Sequence, residues 1–360
     1  MRTTVWRRKE QVISPFGRND NGVLGRNDTQ HWWARVCATA GAGVWAGMAL
    51  LARIGVARIG AIELMFLFAP LVIVPLGMEL GRVMGGGGQL EDLVRRLQPV
   101  GAAIVVVAIW LPPGRRAGIL ALGWLMVCGL IAGGEIVRIF RREREIWGKS
   151  AGESPAPALA VPTRVVRARV TAIAIAVARI DLAVGAAWLV ASRWGMRPMG
   201  IQEPIGLLTA VHFHFAGFAT ATIAAATLQF AEQRGEARRW LRVVVGLVAG
   251  MPFVVAAGFV VSPALKMGAA ILFSASVAGL AIAVRACGTK AEDGAARLLL
   301  QVAAGAVFAG MVLSATYAIS DFLGSEVLTI PQMARTHGVL NAVGFCLLGL
   351  LGWLVEKSRG

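Results

Sequence analysis

Apolar residues in this chain fall into ten long runs, at about 35–52, 59–83, 98–113, 117–138, 170–192, 205–230, 241–262, 266–286, 297–322 and 335–355. Most approach the roughly 20 residues a helix needs to cross a hydrocarbon core. The runs are continuous rather than alternating, so the segments of about ten residues expected of barrel strands are missing. The pattern predicts an all-α polytopic transmembrane helical bundle of about ten spans. The run at 98–113 is the weakest and reads equally well as a short or re-entrant helix.

Composition agrees with this class: hydrophobic residues make up 57% and charged residues only 16%, with a mean hydropathy of +0.67. The net charge of +16 first suggests nucleic acid, but the basic residues sit between the apolar runs. If ten spans are threaded alternately, 27 of the 36 Lys and Arg fall on the side of the amino terminus and 8 on the other, with Arg179 inside a span. Removing one span would destroy that asymmetry. The positive-inside rule then predicts both termini in the cytoplasm. The expected partners are the lipid bilayer and, for the basic cytoplasmic loops, anionic lipids; a nucleic-acid partner is not expected.

The same pattern divides the chain. Residues 1–34 form a basic cytoplasmic tail rich in Asn, Asp and Gly. A first membrane part of four helices covers 35–139, a cytoplasmic linker 140–169, and a second part of six helices 170–355. The linker opens on the basic stretch Arg138–Trp147, read as an extension of the fourth helix, and turns Pro- and Ala-rich at Ser154-Pro-Ala-Pro157. No cleavable leader is expected, because the first run follows a long polar stretch without a cleavage site. Cys37, Cys128, Cys287 and Cys346 match no metal or disulfide spacing and read as small buried apolar residues. Gly85–Gly88 read as a flexible turn, since no phosphate-binding pattern continues from them.

Candidate chemistry lies in the polar residues within the spans. Two of the four histidines, His212 and His214, lie in the apolar stretch Thr209–Ala219. In the threaded topology they fall some 12–15 Å below the outer boundary. His337 and Asn341, one turn apart, enter the tenth span from the same side, and Glu63 the second. Ser314, Tyr317 and Asp321 form a stripe near the outer end of the ninth. Asp181 lies near mid-bilayer. Ionisable groups in spans mark functional sites by default, and this set predicts one polar cavity in the outer half. Alternatives stay open: Glu63 and Asp321 also read as interfacial side chains. On a regular helix, residues two apart point some 160° apart. Asp181 and Arg179 are therefore each expected to have interhelical partners. His212 and His214 can face one site only if their helix is distorted. The histidines read as structural hydrogen-bonding groups, as a proton or substrate site, or as a metal or haem site with His212, His214 and His337 as candidate ligands. Of the rest, Glu79 reads as snorkelling, Glu135 as pairing with Arg138–Arg142, and His31 as interfacial. Pro70 and Pro75 predict a kink in the second span.

Three stretches, Ala69–Gly77, Leu208–Phe218 and Arg335–Phe345, resemble signature stretches of YndJ-like bacterial membrane proteins. The resemblance covers roughly 40–355. It implies a multi-pass protein of the bacterial cytoplasmic membrane. It implies no catalytic role, and supports treating His212, His214, His337 and Asn341 as one site. Members of that family are sometimes labelled transporters. The resulting expectation is a small-molecule or ion transporter. The alternatives are a histidine-dependent enzyme, with or without a metal, acting on a lipophilic substrate and a structural or sensory membrane protein.

Overall fold

The computed structural model describes residues 31–85, 89–150, 163–325 and 327–358. The tail up to residue 30, the centre of the expected linker at 151–162 and most of the glycine cluster lie outside the described residues. Among the described residues, ten helices are long and apolar enough to span a membrane: α1 (Trp32–Arg53), α2 (Ala61–Val83), α3 (Leu90–Trp110), α4 (Arg115–Arg141), α5 (Val170–Trp194), α6 (Ile205–Gln233), α7 (Arg239–Val261), α8 (Pro263–Gly288), α9 (Gly294–Phe322) and α10 (Ile330–Lys357). Among the described residues there is no strand. The chain is a multi-pass membrane protein. The end of the bundle where α1 begins is here the proximal end, and the other the distal end.

Two boundaries differ from the sequence pattern. The third span is neither short nor re-entrant, because its helix starts about eight residues before the apolar run. Glu91 and Asp92 occupy its first turn, where they oppose the positive end of the helix dipole. A helix needs only backbone hydrogen bonds to extend, so its charged start escapes a hydropathy reading. The second is the start of the fifth span, whose helix already begins at Thr163, while the helix of α4 continues to Ser150, in line with the reading of Arg138–Trp147 as its extension. Both ends of the expected linker are therefore helical.

Helices α2 and α6 form the centre and are mostly buried, whereas most residues of α1, α7 and α9 are not. Consecutive helices pack as antiparallel pairs, α3 on α4, α4 on α5, α7 on α8 and α8 on α9, and α10 closes on α9. Close approach depends on small residues, as is usual in lipid. At Gly41 of α1, an added β-carbon would lie 1.9 Å from the Leu71 carbonyl oxygen of α2.

The central helices are not regular. Helix α2 widens into a π-helical turn over Ala69–Ile73, α6 over Phe213–Ala219, and α10 over Ala334–Gly338 and Leu340–Leu347. In α2 the cause lies in its prolines: Pro70 and Pro75 have no N–H to give to the carbonyls of Phe66 and Leu71. Side chains from neighbouring helices meet carbonyls along this helix. Gln98 of α3 donates to the Pro70 carbonyl at 2.7 Å, and Trp45 of α1 to that of Leu64 at 2.7 Å. In α6, Thr220 donates to the Phe215 carbonyl at 2.9 Å, and the Cys346 thiol of α10 approaches the same oxygen. The π-helical turns of α2, α6 and α10 touch one another in the middle of the bundle.

Candidate functional site

π-Helical turns recur at functional sites, and three of them meet where α6 carries its histidines. The turn of α6 begins immediately after His212. His212 lies on the exposed side of the helix and His214 is fully buried. His212 Nδ1 bonds the Leu208 carbonyl at 2.7 Å. His214 Nδ1 bonds the Ala210 carbonyl at 2.8 Å, and Trp124 of α4 donates to its Nε2 at 3.0 Å. An indole N–H can only donate, so Nε2 accepts and the proton sits on Nδ1. The two rings lie only 18° apart in plane with centroids 6.2 Å apart. Phe66 of α2 meets the imidazole edge-on at 4.9 Å. Both ring nitrogens of His214 are thus engaged in a neutral, locked imidazole.

Beside it lies Asp181 of α5. Two glycines let α5 and α6 cross closely. A β-carbon on Gly185 would lie 2.6 Å from His214 Nδ1, and one on Gly217 would lie 2.9 Å from Asp181 Oδ2. Asp181 is fully buried, and neither of its oxygens has a hydrogen-bond partner. At 1.5 Å per residue it sits about 17 Å from the proximal end of α5 and about 20 Å from the distal end. The expected interhelical partner of Asp181 is therefore not found among the described residues. Arg179 does have partners, Glu135 at 2.8 Å and Glu91 at 3.5 Å.

The remaining candidates do not join this pair in one cavity. His337 and Asn341 share a face of α10, as their spacing predicts, but that face meets α9. His337 Nδ1 bonds the Gly310 carbonyl at 2.9 Å, and Asn341 Nδ2 bonds the His337 carbonyl at 2.7 Å. His212 lies within electrostatic reach of His337. Asp321 pairs with Lys266 of α8 at 2.7 Å on the partly exposed distal rim. Ser314 accepts from Ser274 of α8 at 3.0 Å, and Tyr317 is half-buried between them on α9. Glu63 is half-buried in the first turn of α2, within electrostatic reach of Arg193. Among the described residues, no three His, Cys, Asp or Glu come together as metal ligands. The proposed set His212, His214 and His337 does not assemble, because His214 is turned into the α4–α5 interface. Shared depth did not give shared direction.

Sequence reasoning missed several groups. Trp124, Gly185 and Gly217 give no signal of their own in an apolar helix. The readings of Glu79 and His31 need correction. Glu79 does not snorkel: it is 1% exposed and bonded to Arg82 at 2.6 Å, His31 at 3.1 Å and Arg95 at 3.3 Å. His31 is itself 3% exposed, so it is part of the packed proximal end. Glu135 pairs with Arg138, as expected.

The model of the YndJ-like protein family matches residues 64–345. A relative in Bacillus subtilis (strain 168), described as the uncharacterized membrane protein YndJ, is 27% identical over 180 residues, half of this chain. That match spans 32% of the relative's own length. No solved structure matches the chain.

Proposed function

The chain belongs to the YndJ-like protein family, and from that premise and the carboxyl group at mid-span we propose that it is a proton-coupled transporter of a small solute or ion, with Asp181 as the group that exchanges protons. One observation carries the reading: Asp181 is fully buried near the middle of α5 with both oxygens unpartnered. A carboxylate in such a place is strongly unfavourable without a counter-charge, whereas the neutral acid is tolerated. Exchange of the proton for a cation leaves neither state with an uncompensated charge. The acid stands alone in one, and the carboxylate holds the cation in the other. The chemistry of a lone carboxyl group therefore favours a cationic cargo.

The movable element in this reading is the π-helical turn of α6, Phe213–Ala219, against which Asp181 packs through Gly217. Shifting a turn by one residue rotates the remainder of the helix by about 100°, enough to open or close the side of Asp181. The loop charges favour a distal end that faces away from the cytoplasm. His214 keeps the α4–α6 contact in register and carries no proton in this scheme.

The test uses purified protein in liposomes with a pH-sensitive dye inside and an imposed pH gradient. Addition of cations from a panel of monovalent and divalent salts should dissipate the gradient for at least one of them. Asp181→Asn should insert normally and lose that response. Unchanged cation-driven proton flux in Asp181→Asn would rule the proposal out.

A further inference from the structure

A second feature lies at the proximal end, away from Asp181. A cavity of about 360 Å³ opens there among α2, α3, α4 and α5. Its lining along α4 runs from Leu130 to Arg141, about 16 Å at 1.5 Å per residue. Apolar positions come first on that path and arginines last. Leu90 and Val94 of α3 continue the apolar wall, and Arg179 of α5 and Glu91 of α3 complete the charged one.

The charges there do not balance. Arg179 bridges Glu135 and Glu91, and Arg138 also pairs with Glu135. Arg141 is exposed at the mouth and has no carboxylate partner among the described residues. Among the described residues, three guanidinium groups thus face two carboxylates. A guanidinium fork matches phosphate oxygens two at a time. A cavity that is cationic at its mouth and apolar within is complementary to an anionic amphiphile rather than to a bare anion.

We propose that this cavity holds an anionic phospholipid, with Arg141 and Arg138 on the phosphate and the α3–α4 wall over the first methylenes of an acyl chain. Inorganic phosphate shares the oxyanion chemistry but would leave the apolar wall bare. The site does not depend on transport through Asp181. It would also bind lipid in a protein that moves no cargo.

The experiment takes the full chain in neutral detergent and follows its unfolding temperature against added dihexanoyl-phosphatidylglycerol, kept below its micellar concentration. Dihexanoyl-phosphatidylcholine and inorganic phosphate serve as the comparison probes. The expected result is a saturable rise with phosphatidylglycerol alone. Arg141→Glu and Arg141→Ala, both at an exposed position, should fold like the wild type and bind the probe about tenfold more weakly. Arg141→Lys should keep most of the response. An equal rise with inorganic phosphate would overturn the lipid in favour of a free anion. An equal rise with phosphatidylcholine, or undiminished binding by Arg141→Glu, would overturn the charge recognition.

Discussion

Trp124 and His214 show how a buried histidine becomes structural. Its Nδ1 proton goes to the carbonyl of Ala210 in its own helix, and its Nε2 takes the indole proton from α4. Trp124→Phe removes that donor and leaves a buried acceptor bare. A loss of about 1–3 kcal/mol is expected, read as a lower denaturant midpoint of the purified protein. Asp181 presents the opposite case, a buried group with nothing to lose by becoming an amide. If it is neutral in the folded protein, Asp181→Asn should change stability by less than about 1 kcal/mol while removing flux. A large loss of stability would instead reveal a charged Asp181 with a partner.

At the scale of elements, the π-helical turns explain how α2, α6 and α10 can carry polar chemistry through lipid. Each widened turn displaces backbone carbonyls from their regular partners, and nearby side chains answer several of them. In α2 this was legible beforehand: two prolines in one span predict a distortion, and the distortion is there. In α6 and α10 it was not, because Phe213–Ala219 and Leu340–Leu347 contain no proline to signal it. Contact between α1 and α2 relies on Gly41 lying against the Leu71 carbonyl. Gly41→Leu should therefore force the helices apart and cost about 1–3 kcal/mol or more. The same unfolding measurement checks it, with Gly43→Leu as the control, since nothing lies near a β-carbon there.

On the scale of the whole molecule, the proximal end is tied together by charge. Glu79 of α2 joins His31 and Arg95 of α3, while Arg179 of α5 joins Glu135 of α4 and Glu91 of α3. Breaking one side of a buried pair leaves an uncompensated charge. Arg179→Gln and Glu135→Gln should each cost about 3–5 kcal/mol, and the double variant less than their sum. Additive losses in that cycle would mean the two groups do not act as a pair. Orientation is a separate matter of loop charge. In a background with the four cysteines replaced by alanine, Gln202→Cys at the distal end should react with a membrane-impermeant maleimide on intact cells. Gln233→Cys at the proximal end should react only after the cells are opened. The reverse pattern would invert the topology expected from the 27-to-8 asymmetry of basic residues.

Number and place of the ten helices were legible in sequence because lipid tolerates few charges over some 20 residues, and that constraint acts along the chain itself. The family was legible too, through three short stretches that coincide with the three distorted helices. Position along each helix could also be read, by counting residues from its ends. Direction around each helix could not. His212 and His214 are two residues apart, so the helical period points them to different sides, but only the neighbours α4 and α5 decide which one is sealed against Trp124. Pairing was equally hidden. Arg179 and Asp181 sit on one helix, yet among the described residues Arg179 finds two carboxylates and Asp181 no partner, because partners are set by which helices cross. The sequence thus determined where polar groups lie along each helix. Tertiary packing decided which of them meet, and so left Asp181 alone.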